Sequence, residues 1–251
     1  MIRGRLLEGK RKEFWLVVVA LAVLIAAAAF AVLKSRASES PRRAHVVAME
    51  LQTSRRVVAL SFDMGADVGY TRAILDTLEE SGIKASFGVT GQWAESNPRL
   101  VERIANDGHT LINHSYSHSS FTGISTSSGG FSSSRIATEI LQTESIIRRI
   151  TGRTTKPYFR PPYGDLDHFV MRQVHDLGFW CSVMWDVDSL GWKGLTKDEI
   201  VDQILRNVRP GSILLFHVGA GAQDGPALPS IIAALRDRGY DFSTIGDACP
   251  D

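Results

Sequence analysis

The residues best suited to chemistry in this chain are a few acids and imidazoles, each placed at the end of an apolar run. Asp63 and Asp67 lie in Ser61-Phe62-Asp63-Met64-Gly65-Ala66-Asp67, two carboxylates on either side of a glycine turn. His114 and His118 flank Ser115-Tyr116-Ser117, a spacing that can present two imidazoles to one metal ion from a tight turn. No Glu follows the first His, so this is not the zinc-protease helix pattern, whose general base lies inside the His pair. Hydrolysis at a two-His centre needs an open position for water and a carboxylate to take the water's proton. Asp63 suits the role of base and Asp67 that of a further ligand, while either acid could instead cap the turn.

Three further stretches point the same way. Arg160-Pro161-Pro162-Tyr163-Gly164 is a turn stiffened by two prolines, able to aim a guanidinium at a carboxylate that must stay ionised. Trp185-Asp186-Val187-Asp188-Ser189-Leu190-Gly191-Trp192 places two acids between two indoles, and indole faces beside acids suit sugar rings. Ile213-Leu214-Leu215-Phe216-His217 ends an apolar run on an imidazole. Taken singly, each also reads as an ordinary structural feature: capping histidines, a surface Arg, a core Trp or a buried His.

The elements that must position these groups alternate between strand and helix. Val57 to Leu60 is a continuous apolar run, followed by the small polar Ser61 and Phe62, that suits a strand covered on both faces. Helical spacing follows over Thr71–Glu80, from Pro98 to the stop at Gly108, over Arg135–Ile150 and over Asp167–Leu177. A capping box at Thr196–Glu199 opens another helix, and Pro229–Arg238 reads as the last, with Pro229 in its first turn. Strands fall at Ala85–Val89, Leu111–Ile112, Tyr158–Arg160, Phe179–Trp185, Ser212–His217 and Phe242–Ile245. Ser119–Ser134, rich in Ser, Thr and Gly, reads as a long loop, either the rim of a groove or simply flexible. The alternation predicts an α/β fold with a parallel sheet, open or closed as a barrel, and functional loops at the strand C-termini.

The whole chain has 28 Lys+Arg against 27 Asp+Glu, which gives no reason to expect a nucleic-acid partner. At the N-terminus a basic tail, residues 1–13, precedes an uncharged apolar run from Phe14 to Leu33, long enough to cross a hydrocarbon core of ~30 Å. The basic flank favours a cytoplasmic N-terminus and a single-pass anchor at 14–33, with the rest of the chain outside the cell membrane. A cleaved signal peptide, ending near Ala29-Phe30-Ala31 and giving a secreted protein, is the rival reading. Residues 34–45 read as a polar linker and 46–251 as one folded domain. An oxidising exterior permits a disulfide between Cys181 and Cys249, and two free thiols fit equally well.

The order of these motifs resembles that of the polysaccharide deacetylases, carbohydrate esterase family four. The family's T-F-D-D-G block matches Ser61–Gly65, H-[ST]-x-x-H matches His114–His118, and R-x-P-Y matches Arg160–Tyr163. D-x-x-D-W falls on Asp188–Trp192, L-x-x-H on Leu214–His217, and Gly108-His109-Thr110-Leu111-Ile112-Asn113 resembles the approach to the first His. The resemblance implies a distorted (β/α) barrel of about seven parallel strands and hydrolysis of N-acetyl groups on amino-sugar polymers such as peptidoglycan, chitin-like chains or exopolysaccharide. It implies a divalent metal, zinc foremost with Co2+, Ni2+ or Mn2+ as alternatives, held by His114 and His118. Asp63 would be the base, Arg160 its partner, His217 the acid and Asp188 the residue orienting His217. The Tyr163 N–H would help stabilise the oxyanion, and Trp192 would contact substrate.

Two positions depart from the pattern. Met64 stands where the family has a metal-binding Asp, and a thioether is a poor zinc ligand; Asp67 is the candidate to replace it. Gly191 stands where D-x-x-D-W has its second acid. A glycan-binding relative without turnover and an O-acetyl polysaccharide esterase are the competing functional readings.

Overall fold

The computed structural model describes residues 43–65 and 67–249. The chain divides into units Met1–Ala44 and His45–Asp251, and the sheet, its helices and the candidate site all belong to the second. The expected basic tail, the anchor at 14–33 and most of the linker lie outside the described residues, among which no helix is long and apolar enough to cross a membrane.

The described body is a curled, all-parallel sheet flanked by helices. Its strands are β1 (Val46–Ala48), β2 (Val57–Met64), β3 (Ser86–Val89), β4 (Thr110–Asn113), β5 (Tyr158–Phe159), β6 (Cys181–Val183), β7 (Val187–Asp188), β8 (Ile213–His217) and β9 (Asp241–Ser243). They lie in the order β1-β6-β5-β4-β3-β2-β8-β7, with β9 also paired to β2. The two strands not expected from the sequence, β1 and β7, hold three and two residues, too few to show a period of two.

The helices are α1 (Thr71–Glu80), α2 (Gly91–Ser96), α3 (Pro98–Asn106), α4 (Ser133–Thr151), α5 (His168–Asp176), α6 (Lys197–Asn207) and α7 (Asp224–Asp237). Local chemistry sets most of their ends. Pro98 occupies the first turn of α3, where its missing N–H costs nothing. The Asp167 side chain accepts the Val170 N–H at the start of α5, and Thr196 and Glu199 form the expected capping box on α6. Helix α7 begins five residues before the expected Pro229, which lies inside it. The helix therefore forgoes one backbone bond near its start.

The pleat of β2 shows how the sheet positions a site. Val58, Leu60, Phe62 and Met64 face the helices and join the main core with Ile74, Leu75, Phe87, Phe216 and Leu228. Val57 and Ala59 face the inside of the curl and pack with Ile112, Cys181, Val183 and Ile213. Ser61 and Asp63 continue that inner row. A disulfide joins Cys181 to Cys249 inside the inner cluster. The loop from Ser119 to Ser134 is anchored at both ends. Phe121 and Phe131 stack at 5.5 Å, Phe121 also stacks on Phe159, and the Asp165 carboxylate takes hydrogen bonds from Ser120 and Ser125.

Candidate active site

Asp63, Asp67, His114, His118, Arg160, Tyr163, Asp188 and His217 lie at or just beyond the C-terminal end of a strand, the end of a parallel sheet where ligands bind, whereas Asp186 precedes β7 and accepts the Ile213 N–H at the start of β8. Asp63 on β2 pairs in register with His217 on β8 and with Gly88 on β3. Gly88 is required there, because a Cβ would collide with Asp63 Oδ1 and lie 3.6 Å from the His114 ring.

Arg160 organises the inner face. Its side chain is 0% exposed and all three guanidinium nitrogens are used. Nη1 donates to Asp63 Oδ1 at 2.7 Å, Nη2 to Ser61 Oγ at 2.8 Å, and Nε to the Val183 carbonyl at 3.0 Å. Burial would by itself raise the Asp63 carboxyl, but the Arg160 charge, helped by His114 and His217, outweighs it and holds Asp63 below the usual carboxylate range. Asp63 is thus an ionised carboxylate in a buried setting with charged and imidazole neighbours.

The main chain of Arg160 also fixes His114. The Arg160 carbonyl accepts a hydrogen bond from His114 Nδ1 at 2.9 Å. A carbonyl only accepts, so Nδ1 carries the proton and, in the neutral ring, Nε2 carries a lone pair. That Nε2 is buried without a hydrogen-bond partner and lies 3.3 Å from Asp63 Oδ2. Burial foremost holds His114 below the usual imidazole range. A neutral ring therefore turns a lone pair toward a carboxylate, an arrangement relieved by a cation. The His118 ring lies 4.8 Å from that of His114 and 4.9 Å from Tyr163, and burial, with the neighbouring His114, lowers it to about 4.

Glu139, which the sequence reading missed, holds the loop between the two histidines. From α4 its carboxylate accepts the Tyr116 N–H at 2.9 Å, the Ser117 N–H at 2.8 Å and the Ser117 hydroxyl at 2.8 Å. Its signal was present: Glu139 sits between Ile136 and Ile140 on the buried stripe of α4, where an acid needs a reason. Asn113 braces the same turn, its Oδ1 accepting the Ser115 N–H and its Nδ2 donating to the Ile140 carbonyl.

Asp67, Trp192 and His217 line, with Asp63, His114 and His118 among others, a cleft of about 470 Å³. Tyr163 has φ +61° in a short 3-10 turn and is 52% exposed, and Trp192 is 57% exposed. The oxygens of Asp188 accept the Leu190 N–H at 2.8 Å and the Trp192 indole N–H at 3.2 Å. Asp188 thus aims Trp192, while His217 Nδ1 is buried with no hydrogen-bond partner. Asp67 is exposed, and its Oδ1 accepts the Ala220 N–H at 2.9 Å, tying the turn after β2 to the loop after β8. The Met64 side chain is fully buried among core residues.

Fit to a divalent cation can be judged from these donors. His114 and His118 present neutral rings side by side, and the unpartnered Nε2 facing a carboxylate suits a cation. No group of three or more His, Cys, Asp or Glu placed to hold a metal ion is found among the described residues. The structure brings the two imidazoles together and leaves Asp67 bonded across the cleft.

Residues 50–181 match the polysaccharide deacetylase family. The chain belongs to that family. A peptidoglycan-N-acetylglucosamine deacetylase of Bacillus cereus is 36% identical over 191 residues, which cover 75% of this chain and 66% of that protein, just under two thirds of its length. The peptidoglycan-N-acetylmuramic acid deacetylase PdaA of Bacillus subtilis is 30% identical, over 78% of this chain and 72% of its own. Among solved structures, the Bc1960 peptidoglycan N-acetylglucosamine deacetylase superposes with a TM-score of 0.74 at 33% identity, covering 81% of this chain and 92% of that one. A CE4 family pseudoenzyme from Bacillus anthracis, BA3943, superposes with a TM-score of 0.73 at 25% identity, over 82% of this chain and 69% of its own. The nine described strands place this member among the curled parallel β/α folds expected from the motifs.

Proposed function

We propose that this chain hydrolyses N-acetyl groups on an amino-sugar polymer of the peptidoglycan type, releasing acetate. The observation that carries this reading is Asp63, an ionised carboxylate held by Arg160 in strand register with the imidazole of His217. A divalent ion held by His114 and His118, when bound, supplies Lewis acidity to the acetyl carbonyl. Asp63 takes the proton of the attacking water as its oxygen bonds to the carbonyl carbon. The Tyr163 N–H, at the R-x-P-Y position, donates to the developing oxyanion in this reading. His217 gives a proton to the nitrogen as the C–N bond breaks, so acetate and a free amine leave. Trp192 offers an exposed indole face to a sugar ring.

Asp67 is the acid we propose as third ligand in place of Met64, exchanging its bond to Ala220 for the ion. Zinc titration by calorimetry tests this: Asp67→Ala should weaken binding roughly 10–100-fold, and unchanged affinity would remove Asp67 from the ligand set. The buried Met64 favours a second reading, a glycan-binding member without turnover. Acetate release from N-acetylated and O-acetylated oligomers, by the wild type and Asp63→Asn, decides among the three. N-specific release lost in Asp63→Asn supports the proposal, release from O-acetyl substrate alone gives an esterase, and none gives a binder. We place the catalytic domain outside the cell membrane on an anchor at 14–33. The disulfide supports an oxidising compartment.

A further inference from the structure

Gly191 leaves a gap in the acid pattern of the motif, and the structure fills that gap from elsewhere. A Cβ at Gly191 would collide with Asp224 Oδ2 and lie 2.8 Å from Asp224 Cγ. The space of a side chain at 191 is therefore occupied by a carboxylate brought from the first turn of α7.

Asp224 is an unusual group in its own right. It is 0% exposed, and neither carboxylate oxygen meets a donor in hydrogen-bonding geometry. A buried acid whose only near donors, Ser189 and its own N–H, fall short of full hydrogen-bonding geometry is costly and calls for a function or a counterpart. Burial foremost, with Asp188 adding to it, pushes Asp224 up to about 6, while Ser189, the charge on His217 and its own N–H pull the other way. The candidate counterpart is His217, whose charge acts on Asp224 although no hydrogen bond joins the two in this structure. His217 Nδ1 is likewise buried without a partner, and each oxygen of Asp188 already accepts one hydrogen bond, from Leu190 and from Trp192, with none from His217. An acceptor-only carboxylate and a ring nitrogen able to donate are complementary.

We infer that Asp224 is the positioning carboxylate of His217, carried on α7 in place of the acid absent at 191, and that it holds the Nδ1–H tautomer so that Nε2 faces the cleft. Its role in proton delivery rests on the deacetylase reading above; its pairing with His217 does not. The charged and titratable groups around His217 are Asp63 on β2 with its partner Arg160, His114 and His118 beyond β4, and Asp224 on α7. Asp188 on β7 acts on Asp224. Of these, Asp63 is held by Arg160, which leaves Asp224 as the carboxylate free to serve His217.

The test moves the carboxylate back. Asp224→Asn, Gly191→Asp and the double variant Gly191→Asp/Asp224→Gly are compared with the wild type on an N-acetylglucosamine oligomer, with melting temperature and pH profile recorded for each. Asp224→Asn should keep its melting temperature and lose kcat roughly 10–100-fold, with KM changed less than about 2-fold and the alkaline limb of the profile moved to lower pH, because a lost negative charge destabilises the imidazolium. Gly191→Asp alone should fail through the clash with Asp224. The double variant should recover most of kcat and the position of the alkaline limb. An Asp224→Asn enzyme with wild-type kcat and profile overturns the proposal, as does a loss that follows melting temperature and is not recovered by the double variant. If the wild type releases no acetate, the deacetylase reading fails, and the ring 15N shifts of His217 decide the pairing. A change of tautomer in Asp224→Asn upholds it, and identical shifts overturn it.

Discussion

Asp63 keeps its charge against its own burial because the Arg160 guanidinium, helped by His114 and His217, outweighs the desolvation, so the proposed base depends chiefly on Arg160 for its ionisation. Replacing Arg160 with Met should leave an uncompensated buried carboxylate, at a cost of about 3–5 kcal/mol in urea denaturation. Without the Arg charge burial dominates, the Asp63 carboxyl rises, and the acid limb of the pH–rate profile should move to higher pH while kcat falls at least ~100-fold. The sign for stability follows from the lowered value in the fold. The pair stabilises the protein above the ordinary carboxylate range, and its contribution fades as pH falls through the depressed value of Asp63. An unmoved acid limb in Arg160→Met would show that another group sets it. Asp63, His114, Arg160 and His217 were legible in the sequence because each follows an apolar strand whose end faces the site. Asp67 was chosen as the nearest acid to Met64 and Asp188 from its place in the D-x-x-D-W pattern, and neither signal says which donors the carboxylate already meets. The Ala220 N–H donates to one oxygen of Asp67, and Leu190 and Trp192 donate one bond to each oxygen of Asp188.

At the scale of elements, the two imidazoles depend on a helix that touches neither ring. Helix α4 lends Glu139 to three donors of the Tyr116–Ser117 turn, and Ser115 and His118 on either side sit at positive φ, a conformation that needs support from outside the turn. Glu139→Ala should remove the acceptor of two half-buried N–H groups and cost about 1–3 kcal/mol, visible as a lower melting temperature. It should also weaken zinc binding more than a matched substitution at Glu102, an acid of α3 with no bond to this turn. Equal effects on zinc binding would reduce Glu139 to a packing role. Periodicity found α4 and its apolar stripe but treated the acid within it as noise. The start of α7 was misplaced for a related reason. Pro229 is at home in a first turn, so the rule set the helix boundary there and left Asp224 in a loop, whereas tertiary packing of Leu228, Ile231 and Ile232 carries the helix through the proline. The short strands β1 and β7 have too few residues for any local pattern; only their partners β6 and β8 define them.

For the molecule as a whole, the inner face of the curl is both a packing layer and the floor of the site, and one covalent bond closes it. Cys181 on β6 and Cys249 beyond the last 3-10 turn are 68 residues apart in sequence, with Cα atoms 6.2 Å apart. Both are buried with Ala48, Val57, Ile213 and Ile245. The bond draws the C-terminal segment against β6, beside the strand that delivers Arg160 to its partners through Val183. A cross-link over a loop of this length restricts the unfolded chain by an amount typically worth 2–4 kcal/mol. Converted at the entropy of a domain of about 205 residues, that gives a fall of roughly 4–15 °C in melting temperature. Cys249→Ser paired with Cys181→Ala removes the bond without leaving a lone reactive thiol, and should lower the melting temperature in that range. The same variant should refold from urea under oxidising and reducing conditions alike, while the wild type should lose stability only under reductant. A wild type indifferent to dithiothreitol, or a double variant as stable as the parent, would show that the inner apolar layer closes the curl without the bond.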